Sequence, residues 1–131
     1  MLFNRRQRRA ALSIPGLIAL GLGSRHSQMP AFVRLYLGDV LWGLLFFALF
    51  VSCWPNASPR RIWAAALVTT ELIELSQLSH AYVLDRLRAT PLGGLLLGHT
   101  FLWSDVLCVA LGVTAAALLD RLEIGATAGA H

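Results

Sequence analysis

The sequence holds no lysine, only two cysteines and few charges: of 131 residues, 14% are charged and 56% hydrophobic, for a mean hydropathy of +0.64. So small a charged fraction excludes an ordinary soluble enzyme, since about a quarter of a soluble domain is charged. Cys53 and Cys108 stand singly inside apolar stretches. They lack the paired spacing of a zinc site or a disulfide framework and read as small buried hydrophobes. A glycine-rich phosphate loop, a nucleophile elbow and a persuasive serine-histidine pairing are all missing, so nothing names a hydrolase. No Glu-x-x-His or His-Glu-x-x-His is present either, and neither a metal nor a cofactor is expected.

What is there is arginine and apolar length. Eleven arginines against seven acidic residues leave a formal charge of +4 and a pI near 10, a balance that also occurs in nucleic-acid binders. Their placement argues against nucleic acid as a partner. Arg5, Arg6, Arg8 and Arg9 gather just before an apolar segment, where a positive-inside membrane anchor accounts for them.

A helix crossing about 30 Å of hydrocarbon needs roughly 20 mostly apolar residues. Four stretches approach that length, at about 10–23, 35–54, 62–80 and 104–120. The expected fold is all-α: a polytopic four-transmembrane-helix bundle forming one integral membrane domain over 1–123. Pro15 and Gly16 interrupt the first span. Pro91, Gly93, Gly94 and Gly98 allow a short half-helix over 92–99 before the last. The Gly/Ala-rich tail 124–131 reads as flexible.

The first span also has the features of a cleavable export signal: paired arginines, a short apolar stretch and the small-x-small triplet Gly21-Leu22-Gly23. The membrane-embedded remainder, with no soluble cargo to release, favours an anchor. With the N-terminus inside, the inner loops carry Arg5, Arg6, Arg8, Arg9, Arg60, Arg61 and Arg121, against Arg25, Arg34, Arg86 and Arg88 outside. This asymmetry places both termini in the cytoplasm. It also gathers Arg25, Asp39, Glu71, Glu74, His80, Asp85, Arg88 and Asp105 near the outer leaflet.

A charge in the membrane interior costs about 2.5 to 3.5 kcal/mol on insertion scales, so several at one level need a reason. On the third span Thr70, Glu74, Gln77 and Ala81 fall within an arc of roughly 60°, flanked by Glu71 and His80, at 100° per residue. That face must point into the bundle, with the leucines and Ile73 towards lipid. Asp39 and Trp42 share a side of the second span. Helix-end stabilisation accounts for Asp39 as well as chemistry does, and Asp105 with Ser104 fits an N-cap of the last span. Arg88 fits a structural pair with Glu74 or Asp105, or, together with Arg25, a receptor for an anionic headgroup. His80 is either a general acid or base or an interfacial side chain, the latter preferred on position. Gly94-Leu95-Leu96-Leu97-Gly98 is a small-xxx-small pattern for close packing within a monomer or across a homo-oligomer.

The runs Gly21-Leu22-Gly23-Ser24-Arg25, Tyr36-Leu37-Gly38-Asp39-Val40-Leu41-Trp42, Glu74-Leu75-Ser76-Gln77-Leu78, Arg88-Ala89-Thr90-Pro91-Leu92-Gly93 and Leu97-Gly98-His99-Thr100-Phe101-Leu102-Trp103-Ser104-Asp105 resemble a bacterial family of small membrane proteins, domain of unknown function 2809. The likeness extends from Gly21 to Gly112. A Glu-x-x-Gln followed by an arginine and an aspartate is also distantly similar to VanZ-like membrane proteins. The resemblance implies a compact helical protein of the bacterial inner membrane, with Arg25, Asp39, Trp42, Glu74, Gln77, Arg88 and Asp105 at the family's polar motif positions. It implies no activity.

The expected role is therefore that Arg25, Asp39, Trp42, Glu71, Glu74, Gln77, His80, Arg88 and Asp105 bind the headgroup of an envelope lipid or other amphiphile, with membrane lipids as partners. Two other readings fit the same residues. In one, the cluster only locks the helices together; in the other, its excess carboxylate moves ions or protons.

Overall fold

Asn4 opens the first helix by accepting a hydrogen bond from the Gln7 backbone amide at 2.7 Å, which satisfies one of the free N–H groups of a helix start. In the computed structural model, which describes residues 4–76, 82–93 and 103–130, this helix α1 spans Arg5–Ser24. It starts five residues before the expected span, so Arg5, Arg6, Arg8 and Arg9 are helical. Pro15 costs one backbone bond without ending the helix, which corrects the expected interruption. Replacing Asn4 with alanine is expected to lower stability by about 1 kcal/mol, read as a shift of the thermal midpoint in detergent.

The Pro30 carbonyl accepts from both Val33 and Arg34 and starts the second helix. A π-helical stretch, Val33–Leu37, runs into α2, Gly38–Cys53, with helical dihedrals at Phe32, Leu37 and Gly38. Asp39 thus lies well inside a continuous helix. This corrects its reading as an N-terminal charge on the helix dipole, an effect that fades beyond the first turn. Ser58 accepts from the Arg61 amide ahead of α3, Pro59–Ser76, with proline at the first helical position. Then come α4, Tyr82–Arg88, and α5, Trp103–Ala128. Ser104 and Asp105 are the second and third residues of α5, so the expected N-cap pair sits inside the helix. The helix also continues through most of the segment read as a flexible tail. The half-helix expected at 92–99 and the Gly94–Gly98 pattern fall mainly outside the described residues.

Helix α2 is central, packing against α1, α3 and α5, and α3 also packs on α5. Phe47, Val51, Ile62, Ala66, Val109 and Val113 form the core. Ile62, Ala66, Thr70 and Glu74 recur every fourth residue and are all buried, so α3 turns one stripe inward, as its spacing predicts. Val68, Leu72 and Leu75 on its other side are exposed. Where α2 crosses α5, Gly43 and Gly112 bring backbone against backbone. The Trp63 indole nitrogen donates to Thr114 Oγ1 at 3.1 Å and ties α3 to α5.

Every described element is helical. Among the described residues one helix, Val33–Cys53, is long and apolar enough to cross a membrane. The other long helices carry charges: Arg5, Arg6, Arg8 and Arg9 in α1, Arg60, Arg61, Glu71 and Glu74 in α3, and Asp105, Asp120, Arg121 and Glu123 in α5.

Candidate functional site

Four segments converge at the end of the bundle where α1 finishes. Arg25 is the residue after α1, and its approach to α2 depends on Gly38: a Cβ there would lie 3.2 Å from Ser24 Oγ and 3.6 Å from Arg25 Nε. Ser24 is buried and turns its hydroxyl back to the Gly21 carbonyl at 2.7 Å. One residue on from Gly38, Asp39 brings its carboxyl within hydrogen-bonding reach of Asp105, and Glu74 and Arg25 are close enough to act on it electrostatically.

Glu74 is the innermost member. It is only 5% exposed, and its Oε2 has no hydrogen-bond partner among the described residues. It faces Asp105, Glu71 and Arg25. Glu71 is half-buried beside it, and its Oε1 is likewise without a partner. Asp39 and Asp105 are half-buried and Arg25 is exposed. Helices α2, α3 and α5 thus each supply a carboxyl to a group that holds one nearby guanidinium. No three His, Cys, Asp or Glu side chains among the described residues stand close enough to share a metal ion.

Arg88 does something else. Its side chain is buried, donates from Nη1 to Asp85 Oδ1 at 3.0 Å, and from Nη2 to the Ser76 carbonyl. That carbonyl belongs to Ser76, the last described residue of α3. Arg88 therefore ties α4 to α3. The sequence reading gave Arg88 a pair with Glu74 or Asp105, or an open receptor for an anion; the acceptors seen among the described residues are Asp85 and Ser76. Gln77 and His80 lie outside the described residues.

Trp42 points elsewhere than the carboxyls. With Phe46, which it meets edge-on at 5.3 Å between ring centroids, it lines a cleft of about 230 Å³ between α1 and α2. Leu17, Ile18 and Gly21 of α1 face Leu41, Leu45 and Leu49 of α2 across it, and among the described residues Arg25 is its only charged wall residue. Sequence reasoning missed this cleft, because its leucines are the same residue type as those that cover a lipid-facing surface.

At the opposite end of the bundle sits a second charged assembly. Arg6 forks to both oxygens of Asp120, at 2.9 and 2.6 Å, and donates to the Pro55 and Ala57 carbonyls. Arg9 and Glu123 pair beside it at 3.2 Å with both side chains more than half exposed.

A family model described as "Protein of unknown function (DUF2809)" matches residues 28–113. The matched segment runs from the α1–α2 connection to the middle of α5 and includes Asp39, Trp42, Glu74, Arg88 and Asp105. Arg25 lies just outside it. No solved structure matches the chain.

Proposed function

The chain belongs to the DUF2809 family, whose description assigns no activity, and we propose that it is a multi-pass membrane protein that holds a phosphate-bearing amphiphile. The hydrocarbon chain occupies the α1–α2 cleft and the phosphate rests on Arg25. The observation that carries this reading is the cleft itself, an apolar slot with an exposed guanidinium as the only charged wall residue among those described. Ligand pockets have this form, an apolar lining with few polar groups that fix orientation. Arginine matches phosphate geometry with a two-pronged fork.

Support for a bundle that crosses the membrane as a whole comes from its surface. Leu12, Ile18, Leu20, Leu72, Leu107, Leu111 and Leu118 are exposed on α1, α3 and α5, while Thr70 and Glu74 are buried between the helices. Apolar side chains thus cover the outside of the bundle as well as its core, which suits a lipid environment. The arginine-rich end with Arg6 and Arg9 then faces the cytoplasm by the positive-inside rule, and Arg25 faces the other side. Cys53, at the arginine-rich end, is exposed and Cys108 is buried. A membrane-impermeant maleimide is expected to label Cys53 in inverted vesicles and leave it unlabelled in right-side-out ones. Labelling only in the latter defeats this orientation.

The ligand reading is tested by filling the cleft. Gly21→Leu adds a side chain where there is open space, and in mid-helix leucine is the better helix former, so the fold should survive. Quenching of Trp42 fluorescence by chain-brominated phosphatidylglycerol, taken as the difference from Trp42→Phe, is expected to disappear in Gly21→Leu. In Arg25→Gln it should need about tenfold more lipid, as loss of one charged hydrogen bond implies. Undiminished quenching in Gly21→Leu rejects the cleft as the binding site.

A further inference from the structure

The charges at the arginine-rich end do not balance, and their surplus lies beside a second cavity. Arg5, Arg6, Arg8 and Arg9 stand within the first five residues of α1, so Arg5 has like charges three and four positions on, the spacings at which side chains on a helix meet and repel. Two acidic residues of α5 answer them. Arg6 takes both oxygens of Asp120, and Arg9 pairs with Glu123. Arg5 and Arg8 are exposed and form no ion pair among the described residues.

Between α1, α2 and α5 at this end lies a cavity of about 330 Å³. Leu44, Phe47, Ala116 and Leu119 give it an apolar wall, and Arg6, Arg9, Ser13, Asp120 and Glu123 line its polar part. A hollow of about 50 Å³ adjoins it, sharing its four charged residues and adding Arg5, Ile124 and Thr127. The two spaces together present three guanidiniums and two carboxylates. One positive charge is left over.

We propose that these two spaces form a site for an anionic phospholipid, one whose phosphodiester carries no cation of its own. An acyl chain lies along Leu44, Phe47 and Leu119, and the phosphate sits in the hollow between Arg5 and Arg9. Its single charge offsets the surplus guanidinium. Arg9 is open to it because an exposed pair such as Arg9–Glu123 is weakly held, whereas Arg6 stays locked to Asp120. This inference rests on the reading of the bundle as membrane-spanning and not on the α1–α2 cleft. It seats the lipid in the leaflet at the arginine-rich end, where anionic headgroups draw basic groups to the surface. Phosphatidylcholine brings a cation with its phosphate and leaves the surplus in place.

The two cavities share Leu17 alone among their described lining residues, so Gly21→Leu fills the α1–α2 cleft without entering this one. The experiment is native mass spectrometry of the full chain carrying Gly21→Leu, released from detergent micelles doped with phosphatidylglycerol or phosphatidylcholine of identical chains. One phosphatidylglycerol is expected to be retained, at about one tenth the mole fraction phosphatidylcholine needs, the value of a single charge-assisted hydrogen bond. Arg5→Gln and Arg9→Gln should each raise the mole fraction for half occupancy about tenfold, and because both side chains are exposed the fold should survive. Removing Arg60 and Arg61 together, as Arg60→Gln with Arg61→Gln, should leave it nearly unchanged, since these exposed arginines start α3 at the same end and line neither space. A loss in that double variant as large as in Arg9→Gln overturns the site in favour of general attraction to a basic surface. Equal retention of the two lipids overturns it as well. Displacement by glycerophosphoglycerol, which has the headgroup and no chains, overturns the assignment to a lipid. Retention by the wild type that vanishes in Gly21→Leu overturns this site and leaves the α1–α2 cleft standing; equal retention of phosphatidylglycerol by both proteins supports this site and counts against the cleft.

Discussion

Replacing Gly112 with leucine is expected to abolish the folded bundle, and replacing it with alanine to cost about 3 kcal/mol, the upper range for overpacking a close contact. The reason lies in what a side chain would meet. A Cβ at Gly112 would fall against the Val40 carbonyl, 2.9 Å from its carbon and 3.1 Å from the Val40 Cα. Across the same crossing, a Cβ at Gly43 would lie 2.8 Å from the Val113 nitrogen and 3.1 Å from the Gly112 Cα. All of these neighbours are backbone atoms, which have no rotamer to change. The only relief is to move α2 away from α5, and that separates Phe47 and Val51 from Val109 and Val113 in the core. It also carries Asp39, next to Val40, away from Asp105. Gly125, on the same helix with nothing within 4 Å, is the control: Gly125→Ala is expected to leave the midpoint unchanged or raise it slightly. Thermal unfolding in detergent, followed by circular dichroism, checks all three. A Gly112→Leu protein that melts like the wild type would refute the close crossing.

Much of this arrangement was legible in the residue spacing. The polar arc on α3 predicted which of its faces turns inward, because buried positions on a straight helix must repeat every three or four residues. Thr70 and Glu74 lie there. Gly112 was visible as a small residue on the packing side of the last helix. Other features depend on partners far away in the chain, which local spacing does not encode. Arg6 counts equally well as one of four anchor arginines or as the mate of an aspartate 114 positions later. Asp39 looked terminal because the apolar span was read from residue 35, and the π-helical stretch at Val33–Leu37 moves the helix start back. The Gly/Ala-rich end resembles a flexible tail by composition. It remains helical to Ala128, with the Arg9–Glu123 pair and the Thr127 hydroxyl bonds to the Glu123 and Ile124 carbonyls along its last turns. Among the described residues Arg88 donates to the Asp85 carboxylate and to a main-chain carbonyl at Ser76, and every residue type carries one of the latter.

Arg6→Ala is expected to be the most destabilising loss of a single charged side chain, at about 3 to 5 kcal/mol, the usual range for breaking one side of a buried pair. The Arg6 and Asp120 side chains are only 14% and 10% exposed. Through one guanidinium Arg6 joins the start of α1, the α2–α3 connection at Pro55 and Ala57, and the end of α5 at Asp120. Truncation leaves a carboxylate without its counter-charge and two carbonyls without their donor. Lysine should restore little, since its ammonium cannot span two carboxylate oxygens and two carbonyls in one plane. Arg6→Met with Asp120→Leu removes both charges together and is expected to be far milder than either single truncation, since no unpaired charge is left. The adjacent Arg9–Glu123 pair supplies the contrast. Both its side chains are more than half exposed, so Arg9→Ala should change stability by no more than about 0.5 kcal/mol. Midpoints measured at low and high salt separate the two: salt screens the exposed pair and leaves the Arg6 effect nearly intact. Equal shifts for Arg6→Ala and Arg9→Ala would mean that the buried fork contributes no more to stability than a surface ion pair.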